Sequence, residues 1–141
     1  MFLENQLLYE TSFEVPEETA DKDFTIPLGK AKIMRQGSDV TIVGYSRNVQ
    51  LALEAAAELE RERISCEVIN LRTIRPWDRD CVVDSVRKTG RLITVEDGYP
   101  FSGVGAEIAA TINETSAFDY LKGPIQRVTA ADVPIPFAKI L

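Results

Sequence analysis

No histidine occurs in these 141 residues. That absence removes imidazole acid–base chemistry, the usual catalytic triads and most zinc sites. Cysteine is scarce, with only Cys66 and Cys81. One falls in an expected strand and the other in an expected helix. They read as small buried apolar side chains in a reducing compartment, not as a disulfide framework or a metal site. No apolar run is long enough to span a bilayer. The opening Met1-Phe2-Leu3-Glu4 has no basic region and no signal-peptide pattern. Positive charge is in deficit: 16 Lys and Arg stand against 22 Asp and Glu, a formal net charge of −6. This balance argues against nucleic acid or an anionic membrane as partner. Internal repeats and low-complexity segments are also missing.

What is present is one domain's worth of chain with ordinary apolar and charged fractions. Phe2 to Tyr9 reads as a strand followed by an apolar contact segment. Glu10 to Asp23 is acidic around Pro16 and reads as a solvated linker with a domain boundary. Pro27 to Gln36 alternates as an edge strand, with Ala31 and Ile33 turned inward. Val40 to Val43 is a buried strand ending at Gly44, and Ser46 is the expected cap of a helix over about 47–63. Its apolar stripe is Val49, Leu53, Ala56 and Leu59, with Ala52 beside it. Cys66 to Ile69 is the next strand. Asp78 caps a second helix with Val82, Val83 and Val86 inward and Gly90 as its stop. Leu92 to Val95, a helix after Ser102 carrying Val104, Ile108 and Ile112, a turn of helix holding Phe118 and Leu121, and a strand over Ile125 to Val128 complete the pattern. Asp132 to Pro136 reads as a rigid exposed tail. Strands alternating with helices predict a three-layer α/β/α domain with a mostly parallel sheet.

The chain is organised around Val95 to Ile108, a strand end, a glycine-containing turn and a helix start. Such a turn suggests an anion site. The spacing fails both nucleotide fingerprints. Ile108 stands where a third dinucleotide glycine belongs, and Val104 and Gly105 replace the Lys and Ser/Thr of a P-loop. Glu96 and Asp97 would repel a phosphate, so a packing or subunit-contact loop is the expected role. Ligands of α/β sheets gather at the carboxyl ends of strands. There Arg72, Arg75, Glu96, Gly103 and Gly105 form a candidate strand-end loop cluster, as a ligand site or as an ion-pair network that fixes loops.

Several segments carry a resemblance. They are Phe2-Leu3-Glu4-Asn5-Gln6-Leu7-Leu8-Tyr9, the run from Ile26 to Ile33, the run from Glu67 to Pro76, Gly103 to Ile108, and Ala131-Asp132-Val133-Pro134. In this order, over essentially the whole chain, the sequence resembles beta subunits of pyruvate dehydrogenase decarboxylating components. Branched-chain 2-oxoacid and acetoin dehydrogenase beta subunits share the fold. The resemblance implies a five-stranded mixed sheet with an antiparallel first strand. It also implies a division into residues 1–9, the end of a preceding thiamine-pyrimidine-binding domain, 10–25, the acidic linker, and 26–141, a transketolase-C-terminal-like domain that lacks a final helix.

The implied parent activity is thiamine-diphosphate-dependent oxidative decarboxylation of pyruvate, with acetyl transfer to lipoyl-lysine. Thiamine diphosphate and magnesium belong to that parent assembly; no cofactor, catalytic or metal residue of the family has a counterpart here. The implied partners are an alpha subunit, a second beta subunit in a heterotetramer, and the subunit-binding domain of the dihydrolipoyl acyltransferase core. The implied location is the mitochondrial matrix or the bacterial cytoplasm. Lys122 and Asp132 are candidate partner contacts. Lys122 stands where the resemblance implies an acid, and Glu10 where it implies a glycine. Two other classes remain open: a free-standing module of this fold that binds a protein or small anion, and an independent enzyme. The second lacks a visible nucleophile–base pair.

Overall fold

The structure is a computed structural model and describes residues 1–135. Five strands, β1 (Lys32–Arg35), β2 (Val40–Gly44), β3 (Cys66–Asn70), β4 (Leu92–Val95) and β5 (Gln126–Val128), form one sheet in the order β1-β3-β2-β4-β5. β1 runs antiparallel to β3, and every other pairing is parallel. Three helices, α1 (Asn48–Arg61), α2 (Arg79–Thr89) and α3 (Val104–Asn113), follow β2, β3 and β4. The expected mixed sheet with an antiparallel edge strand is therefore observed.

Strand alternation divides the interior. Val40, Ile42, Cys66 and Val68 turn to one face and pack with Val49, Ala52 and Ala56 of α1. Val43, Ile69 and Leu92 turn to the other face, against Val82, Val83 and Val86 of α2 and Ile108 and Ile112 of α3. These apolar side chains are buried. The valines, isoleucines and Leu92 are each worth about 1.5–3 kcal/mol when fully removed from water, and the alanines less, which is what holds three layers together. α2 is bounded as its sequence dictates. The Asp78 carboxylate accepts from Cys81 N–H at 3.3 Å, and Gly90 closes the helix in the left-handed region at φ 73°. A Cβ at Gly90 would meet the Tyr120 carbonyl at 2.9 Å, so the position needs glycine for space as well as for conformation.

Three expectations are corrected. Ser46 does not cap α1. It sits at φ 53°, and backbone bonds from Asn48, Val49 and Gln50 to the carbonyls of Tyr45, Ser46 and Arg47 use the first free N–H groups. No donor is left for a hydroxyl. The strand expected over 27–36 shortens to Lys32–Arg35, with a register irregularity between Ile33 and Arg35, and Ile33 is exposed. Phe2 to Tyr9 forms no strand. It has no neighbouring strand to pair with, and Gln6–Leu8 instead makes one 3-10 turn, capped by the Asn5 side chain accepting from Leu7 N–H at 3.0 Å. The expected turn of helix is observed as the 3-10 turn Ser116–Tyr120, which holds Phe118 and is closed by Leu121; its buried residue is Ala117. The expected tail residue Pro136 lies outside the described residues.

Candidate functional site

Glu96 follows β4 directly and is 5% exposed. Its carboxylate accepts from Gly105 N–H at 3.1 Å, at the first turn of α3. The chain thus supplies its own anion to the helix N-terminus, where the dipole and free N–H groups favour one. Both glycines are explained by that approach. A Cβ at Gly103 would lie 2.5 Å from Glu96 Oε1, and one at Gly105 would lie 2.5 Å from Thr94 Oγ1 and 2.8 Å from Glu96 Oε1. Gly98, in the same turn, has nothing within 4 Å of its Cβ position. Ser102, the expected cap, is displaced from that role. It lies at φ 56°, and a side chain nine residues upstream of Gly105 does the capping.

Two neighbours of this latch lie outside the expected cluster. Thr94 is 2% exposed and its hydroxyl has no hydrogen-bond partner. Burial, then the charges of Glu96 and Asp97, push the Tyr45 phenol above its ordinary pKa. A diphosphate does not fit at the α3 N-terminus, because the Glu96 carboxylate already fills it.

The expected cluster assembles only in part. Glu96, Gly103 and Gly105 come together. Arg72 and Arg75 do not join them; both are exposed, and neither makes an ion pair among the described residues. Arg72 sits at φ 57°, in a turn where its own N–H bonds the Asn70 side chain at 3.0 Å. Glu96 needs no arginine, since the α3 dipole and the Gly105 N–H meet its charge. Lys122 and Asp132 stand at opposite ends of the sheet. Lys122 N–H bonds the carbonyl of Gly90, ahead of β4, at 2.8 Å, and the Lys122 stem lies over Gly90. Asp132 comes after β5, beyond the Ala130 N–H that bonds the Gly98 carbonyl at 3.0 Å. Both are exposed.

A second polar centre lies under α2. Glu67 is 1% exposed and pairs with Lys88 Nζ, and Gly37 N–H donates to it at 3.4 Å. Beside it the Thr41 hydroxyl bonds Ser85 Oγ at 2.7 Å and Thr89 Oγ1 at 2.8 Å. The available signal was a polar residue interrupting each apolar strand: Thr41, Glu67 and Thr94. Both cysteines are free, and burial pushes both thiols above their ordinary pKa. Among the described residues no three His, Cys, Asp or Glu side chains are placed to hold a metal ion. Among the described residues no helix is long and apolar enough to cross a membrane.

A three-layer domain with an antiparallel first strand and a self-capped α3 defines a class. The chain belongs to the transketolase C-terminal domain family, whose model matches residues 29–141. Along its full length it is 58% identical to the mitochondrial pyruvate dehydrogenase E1 component subunit beta of Rattus norvegicus, covering 39% of that protein. The Saccharomyces cerevisiae subunit of the same name is 57% identical over 142 residues, with 38% of it covered. The chain therefore spans about two fifths of the length of the curated relatives it matches. A solved structure described as a split gene transketolase, inactive beta4 tetramer, superposes with a TM-score of 0.66 at 31% identity. That match covers 86% of this chain and 38% of the other.

Proposed function

We propose that this chain is the C-terminal region of a mitochondrial pyruvate dehydrogenase beta subunit, and that its work is assembly rather than chemistry. The observation that carries the reading is 52–60% identity, along 99–100% of the chain, to mitochondrial beta subunits from animals, yeast and Dictyostelium. In this reading residues 1–9 end a thiamine-pyrimidine-binding domain, 10–25 are a linker, and 26–141 form the assembly domain. The parent complex, with an alpha subunit and a second beta subunit, decarboxylates pyruvate with thiamine diphosphate and magnesium in the mitochondrial matrix. It passes the acetyl group to lipoyl-lysine on the acyltransferase core. Lys122 and Asp132, at opposite ends of the sheet, serve different contacts, with Lys122 facing the core's subunit-binding domain.

The test is the size of the native polypeptide in the source cells, by denaturing gel and an antibody against this domain. A band more than twice 15.7 kDa that co-purifies with pyruvate decarboxylation supports the reading. A band at 15.7 kDa sinks it.

A further inference from the structure

We propose that Asp97 is a self-modification site, where the Asp97-Gly98 peptide closes to a succinimide and reopens as isoaspartate next to the Glu96 latch. The reaction needs only this chain and water, so it stands apart from the assembly reading above. In the whole sequence Asp97 is the only aspartate or asparagine followed by glycine. Ring closure brings the backbone nitrogen of the next residue onto the side-chain carboxyl carbon. A next residue without Cβ crowds that approach least. The fold does not ask for a glycine here. Gly98 is not among the glycines at positive φ, and a Cβ on it would have nothing within 4 Å. Gly103 and Gly105, in contrast, are required by space.

The reacting groups are not tied down. Asp97 and Gly98 are exposed, in a bend outside any helix or strand. Among the described residues Asp97 makes no ion pair, and Gly98 N–H donates no backbone hydrogen bond. In the acid form of the Asp97 side chain, the Gly98 nitrogen bonds to Cγ. Its proton and the carboxyl hydroxyl leave as one water. Water then adds to either carbonyl of the ring. Attack at Cγ restores aspartate. Attack at the main-chain carbonyl carbon breaks its bond to nitrogen, and the chain then runs through Cβ and Cγ beside a free α-carboxylate. One water leaves and one enters, and nothing is oxidised or reduced. The residues on either side are pinned to one segment. Glu96 N–H donates to the Val128 carbonyl at 3.0 Å, and Ala130 N–H donates to the Gly98 carbonyl at 3.0 Å. Isoaspartate puts one more methylene into the main chain between those two bonds. The pairing then loses its match, as it does at a bulge. The displacement falls on Glu96, whose carboxylate holds the Gly105 N–H, and so loosens the start of α3.

The experiment ages the full chain at physiological temperature and mildly acidic to neutral pH, in buffer and in denaturant. Isoaspartate is read by peptide mapping and by methyl transfer from S-adenosylmethionine with an isoaspartyl carboxyl methyltransferase as the reagent. In buffer it is expected at residue 97 in excess of every other aspartate, after a transient species lighter by one water. Gly98→Ala, which meets no obstacle in the fold, is expected to lose most of it. The isomerised chain, separated from the unaltered one, is expected to exchange its Gly105 N–H faster and to unfold at a lower temperature. Isoaspartate that forms at residue 97 only in denaturant, or no faster than at the other aspartates, overturns the proposal. So does a Gly98→Ala chain that accumulates as much. Gly105 exchange that isomerisation leaves unchanged overturns the consequence for the latch.

Discussion

Replacing Gly105 with alanine sets two effects of opposite sign against each other. Alanine inside a helix is better than glycine by up to about 1 kcal/mol, so an open site would gain stability. Here the new Cβ lands 2.5 Å from Thr94 Oγ1 and 2.8 Å from Glu96 Oε1. Neither neighbour has room to yield: Thr94 is β-branched and 2% exposed, and Glu96 is 5% exposed. Overpacking of that kind costs about 1–3 kcal/mol. Pushing Glu96 off the Gly105 N–H removes a hydrogen bond to a charged group, worth about 1.5–3 kcal/mol. The balance is a loss of about 2–4 kcal/mol, a midpoint lower by on the order of 10 °C. Urea and thermal unfolding of the 141-residue chain measure it, with Gly98→Ala as a control expected within about 0.5 kcal/mol. The Thr94→Ala/Gly105→Ala pair should be less damaged than Gly105→Ala alone, because the nearest obstacle is gone and the lost hydroxyl had no partner. A Gly105→Ala chain as stable as the unaltered one would refute the latch.

Lys88→Ala leaves the buried Glu67 carboxylate with only the Gly37 N–H. The loss should be about 2 kcal/mol, below the range for fully buried pairs because the lysine is partly exposed; adding Glu67→Gln should recover part of it in denaturant titrations. The raised Tyr45 pKa means that unfolded chains ionise first. The stability this group contributes is complete below about pH 10 and is lost as pH rises through the folded value. Tyr45→Phe should therefore flatten the alkaline arm of the stability curve, and an unchanged arm would contradict the assignment. Cys66 and Cys81 should react with a thiol reagent at pH 8 far more slowly in the folded chain than in denaturant, since burial keeps thiolate scarce at both.

Much of the fold was legible because local and tertiary demands agreed. The β-branched runs at 40–43, 66–69 and 92–95 are short, apolar and followed by helices whose valines and isoleucines recur on one side. Asp78 and Gly90 bounded α2 because each acts on its own neighbours. Ser46 and Ser102 misled for the opposite reason. At α1 the cap is made by backbone carbonyls of a tight turn, and at α3 by a carboxylate that the sheet delivers from nine residues away. Neither is a local preference that a short window contains. The site followed the same division. The glycines and Glu96 were found together because they are close in sequence. The arginines were grouped with Glu96 by sheet edge alone, which fixes neighbourhood but not contact. Thr41, Glu67 and Thr94 stood in plain sight as polar interruptions of apolar strands, yet their partners come from other elements.

The path of the chain through the sheet also sets how the domain bears load. β1 begins opposite Asn70, at the carboxyl end of β3, and β5 finishes opposite Val95, at the carboxyl end of β4. The chain thus comes into the sheet and leaves it at one edge, on the two outermost strands. Tension transmitted through the flanking segments would pull those strands sideways and open their hydrogen bonds one after another, like a zipper, instead of loading them all at once in shear. Under strain from a moving neighbour the outer strands would peel first. The three parallel strands beneath α1, α2 and α3, with Glu96 still holding α3, would remain as the last part to give way.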